Sequence, residues 1–254
     1  MSNGVGENPR ARIVIVAAME RELTRLTQEW SLTTIPVPGR SLICHESGDL
    51  VAVFSGMGCK RAEEAARAAV EKYQPGALVS AGLAGALIRS LKVGNVVLPN
   101  VIVDAASGAE YRCSVGGEVI GGGVLVSNYE IAGRKAKPEL VECFHALVVD
   151  MEAAGVAKVA MENELGFRCV KAISDEFDFD MPPLQKFVNA EGLIDTGRLV
   201  RWASVRPQYW PAMMALGRNS HTATRALCDW LRGNVPENLH AARVVTLNGE
   251  YSKG

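Results

Sequence analysis

Two carboxylates stand where this chain could do proton-transfer chemistry. Glu152 follows the apolar run Ala146–Val149, and Asp175 follows a second apolar run, Cys169–Ile173. Between them Met151–Glu164 has helical spacing, with Val156, Val159 and Ala160 inward and Lys158, Glu162 and Glu164 outward, and Gly166 as a stop. A strand, helix and strand of this length predict a right-handed βαβ unit with parallel strands. Both acids then reach the sheet edge where open α/β sheets bind ligands. The same residues also suit a bland role. Asp150 or Glu152 is a favourable anion at a helix N-terminus, and Asp175 could cap a following turn. Spacing alone leaves both readings open.

Other segments must be positioned with them. Arg12–Ala18 (RIVIVAA) reads as a central parallel strand buried on both faces, leading into an amphipathic helix with Glu20, Arg21 and Glu22 in its first turn. Leu50–Phe54 is a further strand, after which the G-x-G of Gly56–Gly58 opens a helix. This raises a dinucleotide-binding module as a rival. The fingerprint needs a third glycine where this chain has Arg61, and no acid closes the next strand. That next strand, Ala77–Ala81, runs into the glycine loop Gly82–Leu87 (GLAGAL), whose backbone amides could face an anion or hydroxyl. Residues 31–50 read as a hairpin with turns at Pro36–Gly39 and Gly48–Asp49. Residues 101–126 read as hairpin material punctuated by Gly116–Gly117 and Gly121–Gly123.

VDMEAAGVA followed by KAISDEFD resembles the paired signature of the purine nucleoside phosphorylase and methylthioadenosine/S-adenosylhomocysteine nucleosidase superfamily. AAMEREL is similar to that superfamily's G-A-M-E-x-E, GLAGAL to x-G-x-A-G-G-L, and LKVGNVVLPN to L-x-x-G-D-I-V-V. The resemblance implies a single α/β domain over residues 11–254, with a mixed twisted central sheet flanked by helices. It implies cleavage of the N-glycosidic bond of an adenine nucleoside. Asp175 would protonate the departing purine, oriented by Ser174, and Glu22 would activate water. Glu152 and Met151 would grip the ribose, and Gly82, Leu83, Ala84 and Gly85 would touch sugar and nucleophile. Asp175 would need its pKa raised by burial or by neighbouring carboxylates to act as an acid near neutral pH.

Phosphorolysis is the other outcome open to such a site, with phosphate as co-substrate held by Arg21 and Gly58. Ser80 and Leu83 stand where many phosphorylases carry an Arg and a Ser, so the nucleophile stays undecided. A non-catalytic nucleoside- or dinucleotide-binding protein is the alternative from another class. For the stacking aromatic expected in such sites, Tyr129 and Phe144 are candidates that could equally be core.

The bulk properties agree. The 254 residues are 48% hydrophobic, enough for one well-buried α/β domain. A net charge of −1 gives no pull toward nucleic acid. Six scattered cysteines without a C-x-x-C pair argue against a metal site or disulfide scaffold and fit a reducing cytoplasm. No apolar run approaches the ~20 residues of a membrane span, and no other cofactor is implied. Residues 1–10 read as a loose tail without the apolar core of a signal peptide. After a polar stretch that reads as a lid or rim, a helical tail over about 198–233 carries Trp202, Tyr209, Trp210, Met213, Met214 and Leu216. Core or oligomer packing explains such a cluster, as does a hydrophobic pocket or a peripheral membrane contact. Its P-x-x-x-P-x-x-x-x-L-G-R pattern resembles hopanoid-associated phosphorylases, which implies an adenosyl substrate with a very apolar group on the sugar. Family members are homo-oligomers, and the same is expected here.

Overall fold

A computed structural model describes residues 12–114, 122–189 and 191–238. The expected loose tail at 1–10 and the punctuating glycines 116, 117 and 121 lie outside the described residues.

The chain begins with β1 (Ile13–Ala17), α1 (Glu20–Thr27), β2 (Ser31–Val37), β3 (Arg40–Ser47), β4 (Leu50–Phe54), α2 (Cys59–Tyr73) and β5 (Ala77–Ala86). It continues through β6 (Val96–Val97), β7 (Val101–Asp104), β8 (Glu110–Arg112), β9 (Val124–Ser127), α3 (Lys137–Phe144), β10 (Val148–Asp150), α4 (Ala153–Glu162) and β11 (Gly166–Asp175). A segment with a short 3-10 turn leads to α5 (Thr196–Ser204) and the long α6 (Trp210–Asn238). The strands form one mixed sheet flanked by helices.

β1 shows why its sequence is a continuous apolar run. Val14 and Val16 pack on one face with the alanine-rich sides of α2 and α4. Ile13, Ile15 and Ala17 pack on the other with Leu23 of α1 and Ala223, Leu227 and Leu231 of α6. Both faces are covered, so no position alternates to polar. The α2–α4 contact is close because of Gly155, where an added Cβ would lie 2.2 Å from the Cys59 carbonyl oxygen.

β5 is the hinge of the topology. It pairs in parallel with β1 and along its whole length with β11, while its last residues pair antiparallel with β10 (Val149 opposite Gly85). The expected parallel relation between the two strands of the central unit is therefore corrected: β10 and β11 flank β5 and run in opposite directions. The reason is long-range. β10 joins a second parallel group with β9 and β7, and that group meets the first across β5. The acids still converge, because β10 and β11 both deliver their C-terminal residues to the end of β5.

Candidate active site

A cavity of about 550 Å³ opens where these strand ends meet. Glu22, Glu152 and Asp175 line it together with Arg21, Met151, Ser174, Leu83, Ala84 and Gly85. All three acids are nearly inaccessible, at 4%, 9% and 5% exposure, although they are hydrophilic by type. Such burial needs specific partners.

Asp175 is aimed by a bulge. Ile173 stands opposite Ala84 and Asp175 opposite Gly85, so Ser174 is an extra residue in β11. The Ser174 hydroxyl donates to Asp175 Oδ1 at 2.9 Å. Gly85 admits the carboxylate, since a Cβ there would sit 2.8 Å from Asp175 Oδ2. The neighbour that holds Asp175 is not the carboxylate expected from sequence but a cation: buried Lys137 Nζ lies 2.6 Å from Oδ2.

Glu152 precedes α4 and accepts the Gly58 amide at 2.9 Å and the Met151 amide at 3.3 Å. Burial, with Asp150 beside it, pushes its carboxyl up to about 8, against the opposing pull of Lys171 and the Gly58 amide. Glu22 lies in the first turn of α1 and accepts the Met19 amide at 3.4 Å. Burial raises its pKa as well, opposed chiefly by Lys171.

Lys171 is the hidden centre of this group. It is 1% exposed in the middle of β11 and pairs with Asp150 at 2.7 Å. Burial alone would lower its pKa, but the Asp150 charge outweighs that and the ammonium is held firmly charged. Asp150 is in turn bound by the Ser127 hydroxyl at 2.6 Å and the Ala153 amide at 2.9 Å. Gly82 does not line the cavity. It faces this network, where an added Cβ would stand 3.3 Å from Glu22 Oε2 and 3.6 Å from Lys171 Nζ.

Two expected phosphate contacts separate. Arg21 lines the cavity but is exposed. Gly58 does not line it, because its amide is spent on Glu152. That bond also answers the dinucleotide rival, whose pyrophosphate needs the loop's amides free. Neither aromatic candidate lines the cavity: Tyr129 is 69% exposed, and Phe144 packs against a small apolar cluster that includes Leu140 and Val149.

The far wall is apolar, built from Met181, Leu184, Ile194, Leu199, Met213 and Leu216. The polar stretch after Asp175 thus forms a rim. The tail's aromatic cluster divides: Trp202 packs between Phe187 and Tyr209, whereas Trp210 and Met214 stay exposed. Among the described residues no helix is long and apolar enough to cross a membrane.

Lys137 and Lys171 escaped the sequence reading. Lys171 had a signal, a lone charge inside the apolar strand CVKAIS. Lys137 had none, because its partner lies 38 residues away and KAKPEL reads as an ordinary exposed helix start.

Known proteins share both sequence and architecture with this chain. A family model described as the phosphorylase superfamily matches residues 12–130. A 5′-methylthioadenosine/S-adenosylhomocysteine nucleosidase of Shewanella sediminis is 25% identical over 206 residues, 67% of this chain and 89% of that protein. One from a Geobacillus strain is 26% identical over 202 residues, 65% of this chain and 85% of that protein. The Helicobacter pylori 5′-methylthioadenosine/S-adenosylhomocysteine nucleosidase superposes with a TM-score of 0.68 at 17% identity, over 91% of this chain and all (100%) of that one. The futalosine hydrolase of the same organism gives 0.67 at 17% identity, over 90% and 98%. The matched segment carries Arg21, Glu22 and the glycine loop, and the shared fold brings the remaining acids to them. Over residues 12–130 the chain is thus similar to the phosphorylase superfamily, and it shares the fold of the methylthioadenosine/S-adenosylhomocysteine nucleosidases.

Proposed function

We propose that this protein hydrolyses the N-glycosidic bond of an adenine nucleoside. The observation that carries the reading is the meeting of Glu22, Glu152 and Asp175, from three separate segments, on one cavity. Glu22 takes a proton from water, whose oxygen attacks the sugar's anomeric carbon. The glycosidic electron pair leaves with the purine, and Asp175 gives its proton to the imidazole nitrogen of the base. Burial that raises Glu22 suits a base working near neutral pH. Glu152 holds the ribose hydroxyls, and with a proton retained up to about 8 it can donate as well as accept.

The charges favour water over phosphate. A phosphate dianion would find exposed Arg21 as its cation on the cavity wall, because buried Lys171 is already paired with Asp150. Losing charge-assisted contacts weakens anion binding substantially. The relatives named as nucleosidases and as a hydrolase agree with this. Adenine release by the purified protein should proceed at the same rate with and without phosphate. Release strictly dependent on phosphate would make the enzyme a phosphorylase and give Arg21 its role.

The apolar wall supports a second level of the proposal. A hydrophobic group on the sugar's primary carbon would leave the acidic end of the cavity and lie against Leu184, Leu199 and Met213. A hydrophobic adenosyl compound, as the tail's resemblance to hopanoid-associated phosphorylases implies, fits that wall.

A further inference from the structure

The structure holds a second fully buried lysine that the reaction above does not use. Lys137, the first residue of α3, has no exposed surface. Its ammonium donates to Asp175 Oδ2 at 2.6 Å and to the Glu176 carbonyl oxygen at 2.8 Å. Local structure does not account for it, since a cation at a helix N-terminus opposes the helix dipole. Stability does not account for it either, because a buried ion pair often gives no more than apolar residues of the same size. What the contact does is grip one oxygen of the candidate acid while Ser174 grips the other.

We infer that Lys137 is a positioning residue for leaving-group protonation: it fixes the Asp175 carboxyl at the cavity and stabilises the carboxylate that remains after the proton has gone. This rests on the hydrolase reading of the site. In the step, the Asp175 O–H bond breaks and a purine N–H bond forms. The glycosidic electron pair passes into the purine, and the negative charge ends on Asp175 beside the Lys137 ammonium. Water restores the Asp175 proton after release.

The other charged groups near Asp175 are already committed. Lys171 of β11 pairs with Asp150 of β10. Lys92 and Arg89, from the segment after β5, pair with Glu176 and Asp178 on the loop beyond Asp175. Glu22 of α1, Glu152 before α4 and His221 of α6 lie around the same cavity. Among these, Lys137 is the cation in contact with the acid.

The test is Lys137→Met, compared with wild type on an adenine nucleoside and on its N7-methylated analogue, whose base leaves without being protonated. On the first substrate kcat should fall about 10- to 100-fold with KM little changed. The N7-methylated substrate should be cleaved as fast as by wild type. Equal losses on both substrates, or no loss at all, would overturn the proposal. If Lys137→Met does not fold, the double variant Lys137→Met/Asp175→Asn removes both charges. It should turn over no more slowly than Asp175→Asn alone, and a further tenfold loss would count against the proposal. A wild type that releases no adenine from either nucleoside would instead defeat the underlying reading of the site.

Discussion

Lys171 is the one buried ammonium that opposes the raised pKa values of both Glu22 and Glu152, and that shortage of positive charge has consequences for pH. Glu152 keeps its proton up to about 8 in the folded protein but only to an ordinary value of 4.5 when unfolded. The folded state therefore binds the extra proton between those values. Its stabilising effect is complete below about 4.5 and is lost as pH rises through about 8. Glu22 is shifted in the same direction and adds to the slope. Melting temperature should fall across this window. Glu152→Gln, which cannot ionise, should flatten the fall, and an unchanged slope in that variant would place the titration elsewhere. For Glu22→Gln the expected result is a loss of about 10²- to 10⁴-fold in hydrolysis with nucleoside affinity retained. Equal losses in kcat and affinity would make Glu22 a binding group instead of a base.

At the scale of elements, the site depends on how tightly β5 and β11 approach. Gly85→Ala would place a methyl 2.8 Å from Asp175 Oδ2 and 3.3 Å from a Val149 methyl. The carboxylate is anchored by Lys137 and Ser174, so it cannot yield freely. Turnover in Gly85→Ala should fall by about 100-fold, the cost of ~1 Å misplacement of a catalytic group. Activity near wild type would show that the strand end relaxes. The same elements show what a sequence can reveal. Strand, helix and strand around Glu152 and Asp175 were legible because apolar runs, helical spacing and a glycine stop are local. Their relative direction was not, because β10 takes its orientation from β9 and β7 and meets β5 only at Val148 and Val149. The Ser174 bulge was equally hidden, since nothing in KAISDE distinguishes a bulged strand from a regular one.

At the scale of the whole molecule, the sheet's two parallel groups meet at β5 to make a cavity acidic at the strand ends and apolar where α5 and α6 close it. The acids were readable in sequence because their motifs are compact. The apolar wall was readable only as a hydrophobic tail, because its partners at Met181, Leu184 and Ile194 come from the preceding rim. Leu199→Asp and Met213→Asp should lower the ratio of kcat/KM for a long-chain apolar adenine nucleoside over 5′-deoxyadenosine by about tenfold or more, the worth of one buried apolar side chain. An unchanged ratio would remove the apolar wall from substrate selection. The most direct test of the account is adenine release from 5′-deoxyadenosine or methylthioadenosine in phosphate-free buffer by wild type and by Asp175→Asn. The account predicts steady release by wild type and a loss of about 10²- to 10⁴-fold in the variant, which still binds the nucleoside. Equal rates from the two proteins would contradict it.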